Sequence, residues 1–355
     1  MDGQSASRAQ GPQGTQASTP AQAGAARGGV PRTVPLLFYG LLLAALIAAP
    51  MAGAYPVFVL KVLCFALFAC AFNLLIGYTG LLSFGHAAFF GGAGYVAGHA
   101  MKVWGVTPEV GLVLGTLAGA AIGYVVGALA IRRQGIYFSM ITLALAQMLF
   151  FFCLQAPFTG GEDGLQGIPR GKLFGVLSLS DDLTLYYVAL LILVLAFALI
   201  VRTVHSPFGQ ILKAIKENEP RAISLGYDTD RFKLMAFVLS AALSGLAGAI
   251  KALVLGFETL TDVHWSMSGT VILMTLVGGL GTLSGPIVGA FVIVALENKL
   301  GDIGSFLASA TGVEWFNSLG ESVTMVTGVI FVICVLLFRR GIMGELQALF
   351  SRGRH

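Results

Sequence analysis

Two glycine-rich segments carry the most unusual spacing in this sequence of 355 residues, because both contain the pattern G-x-x-G-x-x-S. Glycine lets a backbone leave the helical conformation, and at membrane depth such irregular backbone is tolerated only inside protein or beside a water-filled cavity. The chemistry that these segments offer is therefore non-covalent, through peptide groups that face a pathway. We predict that a solute pathway is lined by Gly77, Gly80, Ser83, Gly85, His86, Gly278, Gly281 and Ser284.

The two patterns lie 201 residues apart, counted from Gly77 to Gly278, and they have two interpretations. An internal duplication would place two interrupted helices on one pathway, as in other transporters. The alternative is chance or close packing, because small residues at this spacing are common where membrane helices touch.

His86 is the one histidine or charged residue between Lys61 and His99. An ionisable group inside a membrane is a functional candidate, here as a lining or gate residue. The alternative is a neutral imidazole that donates one hydrogen bond to a carbonyl of the broken helix.

Covalent chemistry finds no support in the sequence. The four cysteines stand in apolar runs without metal-ligand spacing, so we expect buried thiols at Cys64, Cys70, Cys153 and Cys334. The nucleotide-binding pattern G-x-x-x-x-G-K-[ST] is absent, since the nearest Gly-Lys pair has Gln166 in place of the first glycine and Leu173 in place of Ser or Thr. We predict no catalytic residue, no metal site, no cofactor and no intramembrane hydrolase activity.

The elements that position these residues follow from a very apolar composition. Hydrophobic residues make up 56% of the chain and charged residues 11%, where soluble domains carry about 25% charge. A cytosolic globular enzyme is therefore excluded. The mean hydropathy of +0.85 and the 47 glycines are typical of closely packed membrane helices.

Charge-free stretches can be counted as crossings, because a spanning helix needs ~20 apolar residues. These stretches are 33–60, 62–101, 110–131, 134–161, 183–201, 234–250, 263–296 and 322–338. The glycines at 77–80 divide 62–101 into two helices, whereas 263–296 predicts either a re-entrant hairpin or two short helices. We therefore expect an all-α polytopic transmembrane helix bundle with eight to ten spans and two glycine-broken segments.

The ends and the orientation follow from polar residues. We expect a disordered cytoplasmic tail at 1–35, a transmembrane domain at 36–338 and a cytoplasmic C-terminal tail at 339–355. A cleaved signal peptide is the alternative for the apolar run 36–49. With the N-terminus inside, 15 of the 21 Lys and Arg residues are cytoplasmic, and the outer interface receives Trp104, Trp265 and Trp315.

The cytoplasmic loop 202–233 predicts two short helices with a corner between them. Ser206 and Pro207 suit the start of the first helix, Asn218 suits the start of the second, and Gly226 suits its end. The first helix has an apolar stripe made of Phe208, Ile211, Leu212 and Ile215. This stripe has three interpretations: it lies on anionic lipid, it packs on its own bundle, or it inserts into a groove of a partner, which we favour.

Several strings in one order resemble the LivM-like permease subunit of the branched-chain amino acid ABC transporter family, from about residue 72 to 344. The strings are GYTGLLSFGHAAFFG (77–91), TGG (159–161), DGL (163–165), SPFG (206–209), AIKENE (214–219), LG (225–226), GGLGT (278–282) and FRRGIMG (338–344). The family usually has proline in the last string, where this chain has Arg339, Arg340 and Gly341.

The resemblance implies a permease domain at 36–338, an ATP-driven importer of branched-chain or related small amino acids, and no enzyme activity in this chain. It implies a second (LivH-like) permease subunit, two cytoplasmic ATPase subunits and a periplasmic substrate-binding protein, in a bacterial inner membrane with both termini cytoplasmic and no nucleic acid. The resemblance assigns the coupling to the ATPase to Ala214, Glu217, Asn218, Arg221, Ala222, Leu225 and Gly226. The alternatives are an ion-coupled secondary transporter of small solutes and an ABC permease for urea or short amides.

Overall fold

The computed structural model describes residues 33–50, 55–311, 328–329, 332 and 341–345, and this part of the chain is mainly helical. Within 33–311 its α-helices are α1 (Thr33–Ala48), α2 (Pro56–Thr79), α3 (His86–Val103), α4 (Pro108–Ala130), α5 (Ile136–Gln155), α6 (Asp182–His205), α7 (Pro207–Glu217), α8 (Glu219–Ser224), α9 (Thr229–Leu255), α10 (Leu260–Val263), α11 (Trp265–Gly278) and α12 (Gly285–Thr311).

Four two-residue strands lie in the connections, so the all-α prediction misses a minor β component. Strand β1 (Leu165–Gln166) pairs antiparallel with β4 (Phe257–Glu258), and β2 (Lys172–Leu173) pairs antiparallel with β3 (Leu177–Ser178). Leu165 stands opposite Glu258, which ties the connection after α5 to the one after α9. Both connections are thereby fixed on the same end of the bundle.

Among the described residues, five helices are long and apolar enough to cross a membrane, namely α2, α4, α5, α6 and α9. Among them α2 is the most enclosed, with 89% of its most apolar window buried. The division of 62–101 into two helices is confirmed, since α2 ends at Thr79 and α3 begins at His86.

The stretch 263–296 is also divided, into α11 and α12. The expectation of two short helices is wrong for the second one, because α12 runs over 27 residues to Thr311. The predicted stretch ended before Glu297 because that residue is charged, but the helix continues past it. Lys61 of α2 lies 3.8 Å from the Glu297 carboxylate. A polar side chain with a partner does not end a helix.

Some predictions lie outside the described residues. These are the span 322–338 except 328–329 and 332, the position of Trp315, the C-terminal tail except 341–345, and the N-terminal tail up to residue 32. Residues 33–35, predicted as tail, begin α1. Cys64, Cys70 and Cys153 are buried, as predicted. Trp104 and Trp265 are exposed, and their place at an outer interface stays a prediction.

Helices α3, α4 and α9 approach one another closely because glycines face their contacts. A Cβ at Gly119 of α4 would lie 2.9 Å from the Cα of Gly245 in α9, and a Cβ at Gly248 would lie 1.9 Å from the carbonyl oxygen of Phe90 in α3. The high glycine content therefore has a direct packing use, as small residues have in other membrane bundles.

This packing predicts that Gly248→Ala destabilises the protein by about 1–3 kcal/mol, because the added methyl group pushes α9 away from α3. Thermal unfolding of the detergent-purified protein measures the loss. The matched control is Gly269→Ala in α11, where nothing lies within 4 Å of the new Cβ. Equal melting temperatures for the two variants would contradict the close α3–α9 contact.

Candidate translocation and coupling site

The second glycine of each pattern has the same backbone conformation, although α2 runs on to Thr79 whereas α11 ends at Gly278. Gly80 has φ 76° and Gly281 has φ 73°, so the second glycine of each pattern occupies the left-handed region. Ser83 and Ser284, the serines of the two patterns, are both buried. Each pattern thus ends one helix and leads into another, and this shared conformation supports the duplication hypothesis.

The structure brings the two broken segments into direct contact. The side-chain amide of Asn73 in α2 donates to the carbonyl of Thr282 at 2.8 Å and accepts from the N–H of Gly281 at 3.0 Å. Tyr78 donates to the carbonyl of Gly281 at 3.1 Å. Gly77 lies so close that a Cβ there would be 3.0 Å from the Cα of Gly281.

The first break also receives partners from α5. Ser139 donates to the carbonyl of Leu82 at 2.6 Å, and Thr142 accepts from the N–H of Phe84 at 3.2 Å. A Cβ at Gly85 would lie 2.8 Å from the Thr142 carbonyl oxygen, so glycine is needed for this approach. Protein side chains therefore satisfy the peptide groups that the helix break frees.

His86 is fully buried among aromatic rings at the start of α3. Ser240 of α9 donates to the carbonyl of Ala71 at 2.6 Å, so its oxygen accepts from His86 Nε2 at 2.9 Å. Nε2 then carries the proton, and Nδ1 has no hydrogen-bond partner among the described residues. The partner is a serine hydroxyl rather than the expected backbone carbonyl.

The loop helices begin and end as predicted. Ser206 caps α7 by accepting from the N–H of Gly209, and Asn218 caps α8 by accepting from the N–H of Arg221. Gly226 follows α8 with φ 87°, and its N–H donates to the carbonyl of Ile223. The chain thus turns a corner at Asn218 and leaves the second helix in a left-handed residue.

The apolar stripe of α7 packs on its own bundle. Leu212 and Ile215 are buried, and α7 lies against α2, α6 and α9. The favoured interpretation, insertion of this stripe into a groove of a partner, is therefore wrong. A partner has access to the other face and to the corner.

The predicted coupling residues divide into two groups. Ala222 is buried and cannot contact a partner directly, so its assignment to the docking surface is wrong. The exposed members are Ala214, Glu217, Asn218, Arg221, Leu225 and Gly226. Ile223 and Tyr227, which the sequence analysis did not select, add exposed apolar surface beside Leu225.

Lys216 joins this loop to the broken segments. Its ammonium group donates to the carbonyl of Gly77 at 2.7 Å, and its side chain passes 3.3 Å from where a Cβ of Gly80 would lie. The ammonium group of Lys213 lies 5.6 Å from the ring centre of Tyr78. Sequence analysis counted both lysines only as basic residues, because nothing local in the sequence indicates a contact across 139 positions.

No group of histidine, cysteine and acidic side chains within the described ranges could hold a metal ion. What the arrangement offers is mechanical: α7 is hydrogen-bonded to the end of α2 at the first break, and this break contacts the second.

Sequence comparison shows which family the chain belongs to. A family model for the "Branched-chain amino acid transport system / permease component" matches residues 55–338. The chain belongs to this family. It is 28% identical over 257 residues to the high-affinity branched-chain amino acid transport system permease protein LivM of Escherichia coli, and this match covers 66% of the chain and 60% of that relative.

Two further relatives of the chain have different names. A probable branched-chain amino acid transport permease protein LivH of Methanocaldococcus jannaschii is 25% identical, over 77% of this chain and 87% of that one. The autoinducer 2 import system permease protein LsrC of Salmonella typhimurium is 29% identical, over 53% of each chain. The chain is thus a multi-pass membrane protein of this permease family, and its match spans about 60% of the length of the LivM relative.

The geometry at His86 predicts different effects for its replacement by the two amide residues, Gln and Asn. His86→Gln extends an amide N–H toward Ser240 from about the position of Nε2, whereas His86→Asn is too short to reach it. We expect His86→Gln to keep the melting temperature of the purified protein near the native value. His86→Asn loses one hydrogen bond, which costs about 0.5–1.5 kcal/mol. A lower melting temperature for His86→Gln than for His86→Asn would contradict the assigned hydrogen bond.

Proposed function

We propose that the chain is a membrane-spanning subunit of an ATP-driven importer that moves branched-chain or related small amino acids into the cytoplasm. The observation that carries the proposal is the hydrogen bond from Lys216 to Gly77, which joins an external helix pair to the paired helix breaks. Membership of the permease family supplies the context.

The arrangement in the membrane follows from the order of the helices. Crossings by α1, α2, α3, α4, α5, α6, α9, α11 and α12, with one at 322–338, give ten and return the chain to its starting side. Helices α7 and α8 then lie in the cytoplasm with both termini, in agreement with the excess of basic residues there. The transmembrane domain begins with α1 at Thr33 and is proposed to extend to residue 338, with the remaining ends as cytoplasmic tails, in a bacterial inner membrane.

The partners follow from what the chain lacks. Family resemblance implies two cytoplasmic ATPase subunits, and the absence of a nucleotide-binding pattern from this sequence agrees with hydrolysis on other chains. A second, LivH-like permease subunit completes the pathway, and a periplasmic binding protein delivers the solute. The pathway residues are those of the two breaks, Gly77, Gly80, Ser83, Gly85, Gly278, Gly281 and Ser284, with His86 as a supporting residue.

The docking surface is the corner between α7 and α8. Leu225 is 70% exposed, and Ile223 and Tyr227 beside it are also exposed, which is an unusual apolar cluster next to Arg221 and Glu217. An ATPase that covers this cluster pushes on α7, and α7 holds the end of α2 through Lys216. Ala222 supports the corner from inside.

Substrate choice is the finer part of the proposal. Relatives named for branched-chain amino acids favour this class, and the relative named for autoinducer 2 import shows that the family is not limited to it. Uptake of radiolabelled leucine by proteoliposomes that contain the assembled transporter tests the class directly.

The docking surface is tested with Leu225→Asp, which should abolish co-purification of the ATPase subunits while leaving the melting temperature of the permease unchanged. The matched control is Val176→Asp, an equally simple change at a side chain that is 85% exposed in the connection before α6. Co-purification that is normal with Leu225→Asp, or lost with Val176→Asp, would contradict the proposed surface.

The transmission step is tested with Lys216→Met, which keeps the length of the side chain and removes its donor. We expect the ATPase to remain bound and to hydrolyse ATP, while leucine uptake per ATP falls. The control is Lys213→Met on the same helix, which loses only a cation–π contact worth about 0.5–1 kcal/mol. Full coupling in the Lys216→Met variant would place transmission elsewhere.

A further inference from the structure

A second site lies at the opposite end of α2 from the glycine breaks. A cavity of about 240 Å³ opens between α2, α9, α11, α12 and the connection that holds β4 and α10. At ~30 Å³ per water molecule, it has room for about eight waters, which is the scale of one small solute. In the proposed orientation this cavity faces the outside.

Each of two walls of the cavity carries one cation and one anion. On one side Lys61 of α2 and Glu297 of α12 are 3.8 Å apart and both part-exposed, a loose ion pair that water reaches. On the other side Lys251 of α9 is buried and pairs with Asp262 of α10. The part-exposed pair of Lys61 and Glu297 therefore presents, side by side, the two charges that complement a zwitterion.

The buried pair has a third member outside the cavity lining. Lys251 lies 3.3 Å from Glu258, whose second carboxylate oxygen has no hydrogen-bond partner among the described residues. Burial raises the pKa of the Glu258 carboxyl, and Lys251 opposes that rise. Lys251 thus binds carboxylates of both β4 and α10, which fixes this connection against α9.

The remaining walls are apolar. Phe65, Leu255, Phe257 and Met267 line the cavity together with three threonines, Thr259, Thr261 and Thr270. An aliphatic side chain can contact the hydrocarbon wall while its ammonium and carboxylate groups meet the charges. A neutral polyol would leave the charged pairs unused.

We infer that this cavity binds one small aliphatic α-amino acid, with its carboxylate on Lys61 and its ammonium group on Glu297. The exchange keeps the charge balance, because one protein–protein ion pair is replaced by two protein–ligand pairs. The Lys251–Asp262 pair stays intact and fixes the connection that closes the site. This inference rests on the proposed import function.

Cysteine protection tests the site without the binding protein. Thr261→Cys places a thiol on the cavity at an exposed position, and Thr107→Cys places a control thiol in the connection between α3 and α4, outside the cavity lining. The permease pair in nanodiscs is labelled with a maleimide in the presence of L-leucine, N-acetyl-L-leucine or L-leucinamide. We expect L-leucine alone to slow labelling of Thr261→Cys, with no effect on Thr107→Cys.

Charge variants separate binding from structure. Lys61→Gln and Glu297→Gln should each lose the protection. The exchange variant Lys61→Glu with Glu297→Lys restores the ion pair and the melting temperature, but it should not restore protection, because the ligand side chain would then point away from the apolar wall. Protection by all three compounds, none by L-leucine, or normal protection in the exchanged variant would overturn the inference. Leucine uptake by the complete transporter is measured separately, so loss of the site and loss of the import function are distinguishable.

Discussion

Hydrogen bonding of the peptide groups at the helix breaks is the constraint on which this structure depends. A membrane helix that stops inside the bilayer frees N–H and carbonyl groups that lipid cannot satisfy. Asn73 resolves this at the second break by pairing with both Gly281 and Thr282. Because Asn73 belongs to the helix that ends at the first break, the second break is held by the segment that leads into the first, whereas Ser139 and Thr142 of α5 hold the first.

The close contact between the two segments explains why glycine stands at the breaks. Gly77 must lie against Gly281, and any larger residue would push α2 away from Asn73's partners. A contact of backbone with backbone has little capacity to adapt, so a displacement of one break displaces the other. Lys216 connects to this contact from outside the bundle through the Gly77 carbonyl.

Sequence analysis predicted the elements better than it predicted the contacts. Local patterns were sufficient to predict both helix breaks, the caps at Ser206 and Asn218, and the helix end at Gly226, which is left-handed. The stripe on α7 was visible in the sequence, but whether it faces a partner or its own bundle depends on the tertiary arrangement. The loop's link to the breaks was missed for the same reason, since a lysine in a basic loop is expected to be solvated.

The same limit applied to charges near the bundle. Lys61, Lys251 and Glu297 were used to end apolar stretches, although the structure pairs each of them within or beside the bundle. A count of charges cannot tell a solvated residue from a paired one. It therefore located apolar helices and overlooked a cavity that these same residues line.

Helix α2 carries both proposed sites on one continuous element. Lys61 and Phe65 line the cavity near its start, and Asn73 and Gly77 meet the second break near its end. At ~1.5 Å per residue, Lys61 and Gly77 are about 24 Å apart along the helix axis. α2 is one continuous helix from Pro56 to Thr79 and is enclosed by its neighbours. Under the proposed function, this single helix is therefore the element that connects the cavity at Lys61 with the break at Gly77.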